Sequence, residues 1–186
     1  MMARGVVLYG PPASGKDTVT NALVQLDPTF RHYTRLKVGG GRIAGYEMVA
    51  ASVLDDLRER GELLYENSRY DNRYAIDRPR LQALCDEGAI PVVHLGQVAG
   101  VRALMASFPA RWLSVLLWCS RGSSERRSAQ RGSGDLTRRS DAWEETARDH
   151  LDEYGDGTFA LQIDTDHHEP DEAAKVIHDR PELGLA

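Results

Sequence analysis

Nine residues near the N-terminus combine glycines, small side chains and one lysine in the order Gly-Pro-Pro-Ala-Ser-Gly-Lys-Asp-Thr. An apolar run before them predicts a buried strand from Gly5 to Tyr9, and an apolar stripe after them predicts a helix from Thr18 to Leu26. Backbone N–H groups of such a loop, the positive end of the helix dipole and the lysine ammonium all attract phosphate oxygens. The sequence therefore predicts a nucleoside-triphosphate site rather than a turn without a ligand. Its candidate ligands are Gly10, Pro12, Ala13, Ser14, Gly15, Lys16, Asp17 and Thr18.

The residue after Lys16 decides how such a loop would hold a metal ion. Loops of this spacing usually have serine or threonine there, whose hydroxyl binds Mg²⁺, whereas this chain has Asp17. A carboxylate is also a hard oxygen ligand, and Thr18 offers a hydroxyl one position later. Two interpretations stay open, in which Mg²⁺ is held by Asp17 or by Thr18.

Arginines are concentrated in one later segment. Residues 121–139 contain six arginines and two acids, although the whole chain has a net charge of −5. Guanidinium groups bind multiply charged anions through paired hydrogen bonds, and an acidic chain is not expected to bind nucleic acid in general. The segment predicts a small polyanionic ligand, and the alternative is a solvated basic helix face.

The elements that must position these groups alternate along the chain. Further buried strands are predicted at 90–95, 112–119 and 159–163, and further helices at 49–60, 79–87, 98–108, 123–130, 138–154 and 171–180. Strands that alternate with helices predict an α/β fold with a parallel sheet and helices on both faces. Glycines within 33–46 and short strand-like pieces within 63–76 predict an inserted flap.

Composition limits the class of protein. The 186 residues, 41% hydrophobic and 27% charged, suit one soluble domain without a membrane span or a signal peptide. Cys85 and Cys119 lie in apolar segments and predict buried free thiols, which fits a cytoplasmic protein. Both a monomer and a homodimer stay open.

The phosphate loop followed by Tyr33-Thr34-Arg35 resembles guanylate kinases, and the variant with Asp17 is most similar to ribose 1,5-bisphosphate phosphokinases. The similarity runs from Gly5 to about Asp166 and includes segments 61–74, 92–96, 131–132 and 163–166. It implies a three-layer P-loop NTPase fold over residues 1–186. The core would comprise residues 3–32 and 77–186, the acceptor-binding flap residues 33–76, and the arginine lid residues 121–140.

The resemblance also implies roles for particular side chains. Guanidinium and phenol groups of the flap would hold the phosphate of an acceptor molecule, and lid arginines would stabilise the migrating phosphoryl group. The implied acceptor-binding residues are Arg35, Arg42, Tyr46 and Tyr74; the implied catalytic residues are Lys16, Arg131, Arg138 and Arg139; and the implied nucleotide-binding residues outside the loop are Arg127 and Asp164.

The positions that read guanine in this family are changed here. Tyr65 stands where the family has a base-binding carboxylate, and Ile76 stands where it has serine or threonine. Glu66 should point to the opposite face, because side chains alternate along a strand. The strand at 92–97 lacks the family's aspartate, so His94 or Gln97 would lie near the acceptor instead. GMP is therefore not the expected substrate.

Together these features predict an ATP- and Mg²⁺-dependent kinase that transfers the γ-phosphoryl group to a phosphorylated ribosyl acceptor. The acceptor would be a nucleoside monophosphate with a base other than guanine, or ribose 1,5-bisphosphate. One alternative is a P-loop kinase that acts on a hydroxyl group, which needs a carboxylate base near the acceptor. Another is a catalytically weak guanylate-kinase-like binding module.

Overall fold

The computed structural model describes residues 2–41, 43–69, 71–130, 136–152 and 157–185. Its strands are β1 (Ala3–Tyr9), β2 (Phe30–Tyr33), β3 (Arg35–Val38), β4 (Tyr46–Met48), β5 (Leu63–Arg69), β6 (Asn72–Asp77), β7 (Ile90–Leu95), β8 (Ala110–Trp118) and β9 (Leu161–Asp164). Its helices are α1 (Lys16–Leu26), α2 (Ala51–Glu59), α3 (Arg78–Asp86), α4 (Val98–Ser107), α5 (Arg121–Gln130), α6 (Leu136–Asp152) and α7 (Pro170–His178). Arg42 and Arg131 lie outside the described residues, as does the side chain of Arg138.

Five strands form one parallel sheet in the order β2-β7-β1-β8-β9. Strands β1, β7 and β8 are nearly continuous apolar runs, which is typical of parallel strands that are covered on both faces. On one face α1 and α7 pack through Val19, Leu23 and Ile177, and on the other α3 and α4 pack through Leu81 and Leu104. The predicted three-layer α/β fold with a parallel sheet is confirmed.

Strand β2, at the edge of this sheet, is not predicted by the sequence. Its four residues, Phe-Arg-His-Tyr, are fully buried only at the two ends, so neither a long apolar run nor alternation marks it. Pairing with β7 and burial of Phe30 and Tyr33 create the strand. Tyr33, which the sequence assigned to the flap, pairs with Val93 and therefore belongs to the main sheet.

The predicted helices occur with shifted ends. Helix α1 begins at Lys16 rather than Thr18, so the lysine lies in the first helical turn. Helix α6 begins at Leu136 rather than Arg138. Within the described parts of the chain, no helix combines the length and apolar character needed to cross a membrane.

A second sheet lies within the flap. Its order is β4-β3-β6-β5, with β3 parallel to β4 and antiparallel to β6. Helix α2 covers one face, where Leu54 and Leu57 pack on Leu36 and Ala75. Because side chains alternate along a strand, Arg35 and the other neighbours of these apolar residues point to the opposite face.

The two strands that connect the flap to the core are tied together at their ends. The Tyr33 hydroxyl donates to Oδ2 of Asp77 at 2.8 Å and accepts from the Asp77 backbone N–H at 3.0 Å. Asp77 also accepts from the backbone N–H of Arg80 at the start of α3, and the Arg80 guanidinium donates to the Thr34 carbonyl at 2.5 Å. Burial, together with the negative charge of Asp77, raises the pKa of Tyr33, so its hydroxyl stays protonated. The flap is therefore joined to the core at a hydrogen-bonded junction.

Candidate active site

The phosphate loop joins β1 to α1 by a tight backbone path. Gly10 has a φ angle of 155°, and a Cβ there would lie 2.1 Å from the carbonyl oxygen of Leu117 in β8. Ala13 has a φ angle of 56°, a left-handed conformation that costs a residue with a side chain about 1–2 kcal/mol. Gly15 precedes α1 and has no side chain that could cap the N–H groups of the first turn. A helix N-terminus of this kind is suited to binding phosphate.

Lys16 folds back over the loop. Its Nζ donates to the carbonyl oxygens of Gly10 and Pro11 at 2.6 and 2.9 Å, and lies 3.2 Å from Oγ of Ser14. Burial lowers the pKa of Lys16 to about 8, because the ammonium loses the water that would solvate its charge. In this structure neutral oxygens surround the ammonium, and a phosphate bound in the loop would give it an anionic partner.

Helix α5 supports the loop from one side. The Ser124 hydroxyl donates to the carbonyl oxygen of Pro12 at 2.7 Å. The Arg127 guanidinium donates to the carbonyl oxygens of Ala13 at 3.3 Å and Thr165 at 2.6 Å. Arg127 thus connects the loop to the segment after β9, and its position in the nucleotide site stays a prediction.

A second cavity opens between α1, α5 and the segment after β9. Thr18, Arg127, Thr165 and Asp166 line it, in the region that the sequence assigns to the nucleotide base. Asp164 is absent from the described lining, and its carboxylate accepts a hydrogen bond from the Asp166 backbone N–H at 2.9 Å. The turn after β9 directs Thr165 and Asp166 toward the cavity, and the nucleotide-binding role of Asp164 stays a prediction.

The flap carries a group of cation–π contacts on the face opposite α2. The central carbon of the Arg35 guanidinium lies 5.9 Å from the ring centre of Tyr46 and 5.2 Å from that of Tyr74. Nζ of the buried Lys37 lies 5.4 and 5.7 Å from the same rings. The structure thus brings Arg35, Tyr46 and Tyr74 together. The sequence does not predict Lys37, although its position two residues after Arg35 on one strand was the available signal.

A main cavity of about 240 Å³ lies between the phosphate loop and the flap. Its described lining contains four cationic side chains, Lys16, Arg35, Arg69 and Arg139, and one carboxylate, Asp17. The two phosphate sites predicted from the sequence therefore face each other across one space. A surplus of guanidinium and ammonium groups in a partly enclosed cavity favours a polyanionic ligand.

Known proteins resemble this chain in sequence and in fold. No protein-family model matches the sequence. The chain is 26% identical over 181 residues to a guanylate kinase of Chromohalobacter salexigens, a match that covers 92% of this chain and 81% of that protein. Its fold matches the crystal structure of guanylate kinase from Anaplasma phagocytophilum with a TM-score of 0.66 and 17% identity, over 96% of this chain and 84% of that one.

The chain is similar to guanylate kinases in sequence and in fold. The resemblance stated from the sequence is confirmed at this level, and the closer similarity to ribose 1,5-bisphosphate phosphokinases stays a prediction. Guanylate kinases use ATP and Mg²⁺, which are the cofactors that the sequence predicts for this chain.

Tyr65 closes the main cavity beside α4. Its hydroxyl lies 2.6 Å from Oε1 of Gln97, and its ring lies on Gly100, where a Cβ would be 2.6 Å from a ring carbon. Glu66 forms an ion pair with Arg73 at 2.8 Å and is absent from the described cavity lining, as strand alternation predicts. Tyr65 and Gln97, two sequence-predicted acceptor residues, therefore lie side by side at the cavity.

Among the residues of the main cavity that the sequence does not predict are two polar residues of β5. Asn67 and Arg69 follow Tyr65 at alternate positions of β5 and line the same space. Arg35 donates to Oδ1 of Asn67 at 3.4 Å, and Arg69 forms an ion pair with Glu145 of α6. The period of two along β5 is the signal that would have found both residues once Tyr65 was placed.

His94 lies near the end of β7, between α1 and β2. Its Nε2 lies 2.7 Å from Oγ1 of Thr20, its Nδ1 lies 3.4 Å from Oδ1 of Asp17, and its ring centre lies 4.4 Å from that of His32. Burial lowers the pKa of His94 to about 4, so the ring is neutral at neutral pH. His94 lines the main cavity as expected, but its ring nitrogens contact side chains of α1.

The two candidate metal ligands lie at different cavities. Asp17 lines the main cavity beside Lys16, and Thr18 lines the second cavity. Within the described part of the chain, no group of three or more His, Cys, Asp or Glu side chains is arranged to hold a metal ion. A single carboxylate still fits Mg²⁺, which is usually held by one or two carboxylates together with substrate phosphates.

Proposed function

We propose that this chain transfers the γ-phosphoryl group of ATP to a phosphate group of a small phosphorylated ribosyl compound. The composition of the main cavity carries the proposal: Lys16 of the loop and Arg35 of the flap line one space with two further arginines. Two phosphate groups brought into this space would each meet cationic donors.

The loop and the flap hold the two reactants. Backbone N–H groups of the loop and Lys16 bind the β- and γ-phosphates, while Arg35, Tyr46 and Tyr74 bind the acceptor phosphate. An oxygen of that phosphate attacks the γ-phosphorus, the bond to the bridging oxygen breaks, and ADP leaves. The attacking oxygen is already anionic, so this step needs no general base.

Arginines and one carboxylate complete the site. Arg139, with Arg131 and Arg138 of the lid, stabilises the charge that spreads over the equatorial oxygens. Asp17 would hold Mg²⁺, which would supply positive charge to neutralise part of the charge on the β- and γ-phosphates. These roles follow the family resemblance and the position of Lys16, Asp17 and Arg139 at one cavity.

The acceptor is a nucleoside monophosphate with a base other than guanine, or ribose 1,5-bisphosphate. The cavity of about 240 Å³ is smaller than the 300–1,000 Å³ typical of pockets for drug-sized ligands. Tyr65 and Gln97 fill its end next to α4. Both features favour the sugar phosphate over the larger nucleotide.

One observation favours a second candidate function. Asp17 is the single carboxylate in the described lining, and a kinase that acts on a hydroxyl group needs such a base. A binding module without activity is the less favoured reading, because the chain keeps Lys16 and the lid arginines.

The proposed setting is the cytoplasm, with a small molecule as the partner. Cys85 and Cys119 are free thiols, which persist in a reducing compartment. The proposal holds for a monomer and for a homodimer alike.

An ADP-release assay with ATP, Mg²⁺ and a panel of acceptors tests the proposal. The panel contains nucleoside monophosphates, ribose phosphates including ribose 1,5-bisphosphate, and acceptors with only hydroxyl groups. We expect release with a phosphorylated ribosyl compound, and loss of release in Lys16→Ala with the fold intact by circular dichroism. Release with hydroxyl acceptors alone would favour the second candidate, and nucleotide binding without release would favour the binding module.

Two flap arginines provide a matched pair for the acceptor site. Arg35→Ala should raise KM for the acceptor at least about 10-fold and leave KM for ATP unchanged. The substitution removes a charged hydrogen-bond donor only from the part of the main cavity that binds the acceptor phosphate. Arg58→Ala should change neither constant, since Arg58 pairs with Asp55 and Glu66 outside the main cavity. Equal effects of the two substitutions would argue against an acceptor phosphate beside Arg35.

A further inference from the structure

The first turns of α1 make side-chain contacts with the adjacent strand β7. Asp17 and Thr20 are three residues apart, so they lie on one face of the helix. His94 meets both of them, with its Nδ1 3.4 Å from the Asp17 carboxylate and its Nε2 2.7 Å from the Thr20 hydroxyl. The ring is held from a third side by His32, whose ring centre lies 4.4 Å away. His94 is thus held in one orientation by three side chains.

The contacts on the two sides of the ring are compatible with one proton arrangement that serves Asp17. A carboxylate can only accept, so a His94 ring that donates to Asp17 carries its proton on Nδ1. Nε2 is then an acceptor, and the Thr20 hydroxyl donates to it. Thr20 is buried and lies in the helix that also carries Asp17, so the contact cannot shift without moving α1.

Asp17 lies where its orientation matters for the phosphate site. Its side chain is 44% exposed and lines the main cavity next to Lys16, whereas Thr18 lines the second cavity. An aspartate is longer than the serine that usually follows the loop lysine, and its additional torsion gives the carboxylate several orientations. Contact with one carboxylate oxygen restricts those orientations.

We propose that His94 is a positioning residue, which together with Thr20 orients the Asp17 carboxylate toward the metal and phosphates of bound nucleotide. The proposal rests on the nucleotide-binding half of the proposed function and does not depend on the acceptor. His94 takes no part in chemistry, and it acts on Mg²⁺ only through Asp17. Residues that orient a metal ligand typically change metal affinity or activity 10- to 100-fold when they are replaced.

Calorimetry with a non-hydrolysable ATP analogue, with and without Mg²⁺, tests this role without turnover. His94→Leu removes both ring nitrogens at similar size and should reduce the gain in affinity that Mg²⁺ provides by about 10-fold. Binding of the metal-free analogue should stay unchanged, because the loop backbone and Lys16 remain. His94→Asn should restore part of the Mg²⁺ effect, since its side-chain amide can donate to Asp17.

The background Asp17→Ser separates positioning from packing. Serine restores the usual hydroxyl ligand and removes the group on which His94 acts, so His94→Leu should then have no further effect on Mg²⁺-dependent binding. Thr20→Val is a milder substitution that keeps the shape of α1, and it should change the Mg²⁺ effect in the same direction as His94→Leu. Thermal melts report whether each variant folds.

Three results would overturn the proposal. The first is that His94→Leu reduces the Mg²⁺-dependent gain in affinity equally in the native and Asp17→Ser backgrounds. The second is that His94→Leu weakens binding of the metal-free analogue. The third is that the Mg²⁺ dependence is unchanged in both His94→Leu and Thr20→Val. If the unaltered chain does not bind the analogue, the nucleotide site fails and this proposal with it. A wrong acceptor in the proposed function would leave the binding result unaffected.

Discussion

Replacing Lys16 with methionine should abolish turnover and at the same time stabilise the fold. The methionine keeps the length and packing of the lysine stem and removes the ammonium, which the phosphate loop buries against neutral carbonyl oxygens. Loss of a phosphate-binding charge typically lowers kcat at least about 100-fold. The stability effect has the opposite sign because the charge is unfavourable in the empty loop.

The magnitude follows from the pKa of the lysine. Burial lowers it from 10.5 to about 8, and a difference of about 2.5 corresponds to about 3 kcal/mol at 1.36 kcal/mol for each pKa unit. Lys16 keeps partial contact with water, which reduces this figure by about half. In the methionine variant the carbonyl oxygens of Gly10 and Pro11 also lose their hydrogen-bond donor, which lowers the net stabilisation further. We expect Lys16→Met to raise the free energy of unfolding by about 1 kcal/mol, or the Tm by about 2–4 °C.

The stabilisation should depend on pH. The unfolded lysine binds its proton up to about pH 10.5 and the folded one only up to about pH 8. Between these values the unfolded state of the unaltered chain binds more protons, so its stability rises with pH while that of Lys16→Met does not. The advantage of the methionine variant should therefore be present at pH 7 and disappear by about pH 9.5.

Urea unfolding at pH 7 and pH 9.5, followed by circular dichroism, measures both effects. Lys175→Met is the matched control, because Lys175 is exposed on α7 and pairs with Asp179; its stability should change by less than about 0.5 kcal/mol, and its turnover should be normal. A less stable Lys16→Met variant at pH 7, or an advantage that persists at pH 9.5, would refute the reasoning about the buried charge.

Two further predictions concern the flap. Tyr33→Phe should lower the free energy of unfolding by about 2 kcal/mol in urea titrations, because the buried Asp77 loses a donor and its backbone N–H loses an acceptor; an unchanged midpoint would exclude the junction as a stabilising feature. Gly100→Ala should destabilise the native chain by about 1–3 kcal/mol through its clash with the Tyr65 ring. In a Tyr65→Ala background the same change should be neutral or stabilising, as alanine is favoured in a helix, and equal costs in both backgrounds would contradict the packing argument.

Local segments of the sequence determine the phosphate loop and the order of strands and helices. The loop binds through its own backbone and one adjacent lysine, so its chemistry can be read from Gly10 to Thr18 alone. Strands β1, β7 and β8 are marked by apolar runs because both of their faces are covered. Strand β2 cannot be predicted from the sequence, because its pairing with β7, rather than its own composition, makes it a strand.

Only the tertiary structure decides which side chains meet at the site. Arg69 and Glu145, or His94 and Asp17, lie far apart in sequence, and their contacts depend on how the flap and helices pack on the sheet. The direction of Thr165 toward the second cavity depends on a turn whose geometry no local pattern specifies. Sequence thus determines the groups that a backbone segment presents by itself, and packing determines the partners, because side-chain direction is set by contacts between segments that only folding brings together.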